Sequence, residues 1–413
     1  MKLMTTLAAA AAFLAVPLTA AADFWPPQEP PAFGGTGVYA TSSLSEGQSP
    51  GTGTWGAGVL LAQLEAPTDL QVLEPGQEPP PPPSGGGGMK WHPGHYAHVG
   101  NADLSAFESD VGHYRLLKGY QKRYYWNDLE PQRGKYGFGG ILQDLQYAKS
   151  KGKYLFIQLQ FKSFNNQKYA PAYLLTSEFD GGVYEAKTGG WNLRLWDAKV
   201  LQRFRALLTA LGEALDTHQA LAGVNLAESA AGAPAKDSPL NANWNSLKQT
   251  HAENLAESGV TLARAFPTTP TLLYFNGGPA DVPDLRNAML SGGVGIGGPD
   301  TYIGALEHDL WLQHTYRLAQ EFAGTVPVGY AVQWHNYTRV GGTSKWEHPD
   351  GAVPVEEIYE FSRTVLGSSF MFWAKRNPYW NNVKSLWQEI GESGDPAGGL
   401  DDRCPTMLRP CST

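Results

Sequence analysis

The sequence predicts an α/β fold: a single parallel (β/α)8 barrel. Eight short apolar runs recur between residues 90 and 382, and most are separated by stretches with helical spacing. Strand-length runs alternating with helices of ten or more residues favour a parallel sheet over a sandwich. Several runs also end in polar or aromatic residues, and a barrel keeps its chemistry at the carboxyl ends of its strands.

Taken in order, residues 1–22 read as a secretory leader, with Lys2, an Ala/Leu/Phe core and a small-residue cleavage site at Ala20-Ala21-Ala22. The expectation is a secreted, periplasmic or cell-surface protein. No later stretch approaches the ~20 apolar residues that cross a bilayer. Residues 23–88 are rich in Pro, Gly, Ser and Thr and end in EPGQEPPPPPSGGGG, a stiff polyproline spacer followed by a flexible hinge, so they are expected to be a linker or stalk. The barrel is assigned to residues 89–390. The tail 391–413 carries Cys404 and Cys411, the only cysteines, which an oxidising compartment should pair.

Within the barrel, strands are predicted near residues 90–98, 119–126, 153–161, 220–227, 270–276, 293–298, 326–333 and 368–374. Helices are read in ILQDLQYAKSKG, VLQRFRALLTALGEAL, HAENLAESGVTLARAF, LWLQHTYRLAQEF, VEEIYEFSRTVLG and NNVKSLWQEI. The long stretch 162–197, with Trp191 and Trp196, is expected to wall a cleft.

The formal charge is −8 and no block of Lys and Arg stands out to neutralise phosphates, so nucleic acid is not an expected partner. An aromatic content of 12% suits a protein that stacks flat faces, sugar rings included. Glu228 is the leading catalytic candidate, because GVNLAES leaves a lone carboxylate at the end of an apolar run and desolvation favours a protonated acid. Asp300, in GVGIGGPDTYIG, is the second carboxylate, where glycines would let the chain pass close to a ligand. Tyr302 follows it at strand parity. The seventh strand ends in Gln333, Trp334 and His335 with no acid, and Glu347 and Asp350 are the nearest acids downstream.

Other candidates for the substrate cleft sit at comparable strand ends. Arg123 could fix a carboxylate by a forked hydrogen bond, and Trp126 closes the same run. Asn276 ends the fifth strand and Trp373 the eighth. Among His92, His95 and His98, strand periodicity sets His95 opposite the other two, so a metal site is not expected and His95 is assigned to substrate. No cofactor is implied, and composition leaves the oligomeric state open.

The pattern resembles the clan A glycoside hydrolases, the barrel superfamily that includes cellulases, mannanases and beta-galactosidases. The likeness covers residues 90 to about 390 and rests on WNDLEPQRGKYGF after the second strand, Glu228 after strand four, Tyr302 after strand six and Trp373 on strand eight. In that superfamily the acid/base glutamate ends strand four, usually after an asparagine, and the nucleophile glutamate ends strand seven. Here Ala227 stands in the asparagine's place and Gln333 near the nucleophile's. The resemblance implies a saccharide-shaped cleft and a secreted enzyme that cleaves a polysaccharide or oligosaccharide, by inversion if Gln333 replaces the nucleophile. Two alternatives stand beside it: a carbohydrate-binding barrel that has lost its catalytic pair, and a hydrolase using a metal held by His92, His95 or His98.

Overall fold

The computed structural model describes residues 88–227, 231–276, 281–308, 312–340 and 351–412. The expected leader, nearly all of the expected linker, Glu228, Glu347 and Asp350 lie outside these residues. Eight parallel strands close into a barrel: β1 Gly94–His98, β2 Leu117–Tyr125, β3 Tyr154–Gln160, β4 Leu221–Leu226, β5 Thr271–Tyr274, β6 Gly295–Gly298, β7 Val328–Val332 and β8 Phe370–Ala374. Closure is made by β8 pairing with β1, through Ala374 opposite His98. Each strand overlaps its predicted run.

Helices α1 Gly139–Ser150, α2 Ala198–Leu215, α3 Trp244–Ala265, α4 Val282–Gly292, α5 Leu312–Phe322 and α6 Val355–Glu360 connect the strands from β2 onward, and α7 Trp380–Gly391 follows β8. Asp197 starts α2 by accepting the Lys199 and Val200 amides at 2.8 and 3.1 Å, satisfying donors that a helix start leaves open. Phe204, Leu207, Leu208 and Leu211 of α2 are buried in the layer between helices and barrel, with Ile157 and Leu159 of β3 and Val224 and Leu226 of β4. That face follows from an apolar stripe at helical spacing.

The interior obeys the period-two rule. Tyr96, Phe156, Leu272, Ala331, Phe370 and Phe372 form a separate apolar floor inside the barrel. The Phe156 ring meets Phe370 and Phe372 edge-on, at 5.3 and 4.8 Å between centroids. Rings of this size fit because facing positions are glycine: a Cβ on Gly223 would sit 2.3 Å from the Phe156 ring, and one on Gly329 2.7 Å from Leu272. Below the floor, Met89–Lys90 pairs with Cys411–Ser412, and the Cys404–Cys411 disulfide ties down that tail strand. The Lys90 ammonium donates to the carbonyls of Asp216 and His218 at 2.5 and 2.9 Å, and the Trp91 indole donates to Asp402 O at 2.8 Å.

The glycines of β6 have a different role from the one expected. A Cβ on Gly297 would stand 2.0 Å from the carbonyl oxygen of Gly329, and one on Gly295 would stand 2.6 Å from that of Pro327. They accommodate neighbouring strands rather than a ligand. A Gly297→Ala chain should therefore lose about 1–3 kcal/mol of stability, as overpacked interiors do, measured by chemical denaturation. Unchanged stability would mean that the two backbones are not in this contact.

Candidate active site

Above the aromatic floor the barrel interior turns polar, and its side chains bond to one another. Gln121 of β2 is the centre: its amide nitrogen donates to Asn225 Oδ1 of β4 at 3.0 Å and to the Tyr274 hydroxyl of β5 at 2.7 Å. Its carbonyl oxygen lies 2.7 Å from His98 Nδ1 of β1. All four residues are buried. Because the Gln121 nitrogen faces acceptors, its oxygen must receive the proton from Nδ1, which assigns the His98 tautomer. Nε2 is then the acceptor for the Arg123 guanidinium at 3.4 Å, while Arg123 Nε donates to Gln158 Oε1 of β3 at 3.1 Å. Burial, followed by the charge of Arg123, pushes His98 down to about 3, with the Gln121 bond opposing the shift. Burial holds the Tyr274 phenol well above its ordinary range, and Asp300 adds to this. Tyr274 therefore stays protonated. With Gln121 donating to its oxygen, that proton is directed elsewhere.

At the carboxyl rim, Asp300 is 3% exposed. The Tyr316 hydroxyl of α5 fixes the backbone here, donating to Asp300 O at 3.1 Å and accepting the Tyr302 amide at 2.8 Å. Asn336, just after β7, accepts the Gln333 amide at 2.5 Å and turns its nitrogen toward Asp300 Oδ1 at 3.4 Å. Gln333 is buried and donates to Pro299 O at 2.9 Å, so the ends of β6 and β7 are tied together around the carboxylate. Asn276 is half-buried two residues beyond Tyr274. Directly after β4, the Ala227 amide still donates to Leu159 O at 3.1 Å, and Glu228 is the next residue in the chain.

Three predicted cleft residues sit elsewhere, and a fourth lies behind the rim. His95 and Trp373 point outward, beneath the helices: the Trp373 indole donates to His95 Nδ1 at 3.0 Å and His95 Nε2 meets Gly398 O at 3.1 Å. Parity is the reason, since Phe370 and Phe372 take the inward positions of β8, and His98 rather than His95 that of β1. Trp126 is fully buried, donating to Glu130 Oε2 at 2.8 Å and packing on Phe204 of α2. Glu130 is itself paired with Arg203, so WNDLEPQRG holds its loop against α2. Tyr302 is buried in the outer apolar layer. Of the histidines, His92 stacks on Tyr154 at 3.8 Å, His95 faces the helices and His98 faces the interior, so the three imidazoles do not converge.

The stretch 162–197 includes the hairpin Val183–Glu185 with Trp191–Leu193. It reaches the rim on two sides. Tyr169 stacks on Tyr125 at 4.2 Å, and in the segment after β4 Ala233 O accepts the Lys187 amide at 2.7 Å while the Ala235 amide donates to Glu185 O at 3.0 Å. Trp191 of this hairpin is half-buried.

No protein-family model matches the chain, and no curated protein matches it in sequence. Solved structures do resemble it. The catalytic domain of a beta-amylase from Paenibacillus polymyxa superposes with a TM-score of 0.51 at 10% identity, covering 75% of this chain and 100% of that domain. A beta-galactosidase from the psychrophilic Marinomonas ef1 gives 0.48 at 11% identity, covering 75% of this chain. The chain spans 61% of that galactosidase's length. Endo-glycoceramidase II from Rhodococcus sp. gives 0.42 at 12% identity, covering 70% of this chain and 75% of that one. What the chain shares with the beta-amylase domain is its fold, a closed (β/α)8 barrel.

The neutral state of His98 has a thermodynamic consequence. An unfolded histidine takes up its proton near pH 6.5, whereas His98 resists protonation until about 3, so the unfolded chain binds more protons across that window. Stability should fall as pH drops from about 6.5 toward 3. In NMR titration the His98 imidazole signals should stay fixed between pH 7 and 5. An inflection near pH 6.5 would contradict the network.

Proposed function

We propose that the chain is a secreted glycoside hydrolase acting on a polysaccharide or oligosaccharide by carboxylate general acid/base catalysis. The observation that carries this reading is the buried Asp300, its carboxylate met by Asn336 and its backbone fixed by Tyr316 beside the polar layer, two strands round from the end of β4. Glycosidic cleavage needs an acid for the leaving oxygen and a second group across the ring. In this reading Glu228, following the apolar run of β4, protonates the departing oxygen. Asp300 takes a proton from the water that attacks the anomeric carbon. Arg123, Asn276 and Gln333 line the cleft between them, and the Tyr274 hydroxyl offers a donor from below.

Gln333 favours inversion. A carboxamide cannot form the glycosyl ester of a retaining mechanism, and this one is already engaged with Pro299. The same residue also fits a barrel that binds sugar without cleaving it, and turnover separates the two. Glu228→Gln and Asp300→Asn should each lower release of reducing ends from a cleaved glycan at least about a hundredfold, the low end for loss of an acid or base, with the thermal midpoint retained. Early product, followed by NMR of the anomeric proton, should have the opposite configuration to the substrate. Full activity in either variant would remove that residue from the mechanism, and glycan binding with no release by the native chain would favour the binding protein.

A further inference from the structure

The rim between β7 and β8 carries a charge pattern that the cleavage chemistry does not use. Trp334, directly after Gln333, is half-buried, and two guanidiniums approach its ring: Arg339 at 5.8 Å and Arg376 at 5.6 Å from the centroid. Arg339 is half-buried, and Arg376, two residues past the end of β8, is exposed. Among the described residues neither is paired with a carboxylate, although Lys375, between Arg376 and β8, is bound to Asp110 at 2.7 Å. The His335 ring lies 3.6 Å from the indole, and after burial these same two arginines are what hold it neutral.

Because β8 pairs with β1 and β1 with β2, Arg123 lies further round the same rim, where it is bonded to Gln158 and His98. Acidic residues outnumber basic ones in the chain, 39 to 31, so two neighbouring arginines, Arg339 and Arg376, with no carboxylate partner among the described residues are not a general property of its surface. An indole flanked by guanidiniums holds their planes in place and leaves their outer N–H forks for a ligand, and such forks match carboxylate and sulfate oxygens.

We propose that Trp334, Arg339 and Arg376 form a subsite for an anionic group on the bound saccharide, a uronate carboxylate or a sulfate ester. This rests on the reading that the rim binds a sugar. Trp334 then acts as a positioning residue for the two arginines rather than as a platform for a neutral ring.

The test is calorimetric binding to the mature chain, with an oligogalacturonate, the same oligomer after carboxyl reduction, and dextran with and without sulfate esters. At least one anionic probe should bind about tenfold or more tightly than its uncharged partner, and which one does identifies the anion. The R339Q/R376Q variant should lose that preference. R376Q alone, at an exposed position, should reduce it if the double variant does not fold. Equal binding of charged and uncharged partners, or a preference that survives both substitutions, would overturn the subsite. Binding is read without turnover, so preferred binding of an anionic probe that is never cleaved would uphold the subsite and count against the hydrolase. Cleavage of neutral glycans with no charge preference would do the reverse.

Discussion

Polar side chains placed inside a closed barrel have no access to bulk water and must satisfy one another. Gln121 meets this constraint by joining Asn225, Tyr274 and His98 across four strands. Leaving any one of these groups unpaired would cost about 1–3 kcal/mol, so each fixes the rotamer of the next. The layer divides the interior into an aromatic floor and a polar rim. It also decides protonation states, because a His98 that donates through Nδ1 offers Nε2 to Arg123 and thereby holds a cation at the mouth.

The same division separates the two ends of the molecule. At the amino-terminal end, the tail strand, the Cys404–Cys411 disulfide and Lys90 close the barrel with backbone and covalent links. At the carboxyl end, Asp300, Asn336 and Gln333 are tied to one another across β6 and β7. The Asp300 carboxylate is thus met by an Asn336 side chain that the Gln333 backbone itself holds.

The fold was legible because strand and helix periodicities differ and the barrel repeats them eight times. The one long helix not foreseen, α4, carries only Leu285, Ala288 and Met289 as buried residues, too weak a stripe to stand out. The site was less legible, because a shift of one residue sends a side chain to the opposite face. Trp373 and His95 each lie one residue from an inward position, and both ended beneath the helices. Gln121, Asn225 and Tyr274 sit within runs that read as apolar or mixed. Their signal was a polar atom at inward parity in β2, β4 and β5, visible only once the strand register is known. The glycines of β6 look alike in sequence whether they admit a ligand or a neighbouring strand, and only the Gly329 carbonyl distinguishes the two.

If the rim is a cleavage site, its two acids face one another across a single sugar ring with room for one water. The most direct measurement is the separation of the Glu228 and Asp300 carboxyl groups in a crystal structure of the chain. Inverting hydrolysis predicts about 6.5–9.5 Å between them. A gap of about 5 Å would mean a retaining mechanism, and a Glu228 side chain turned away from the barrel mouth would contradict the account.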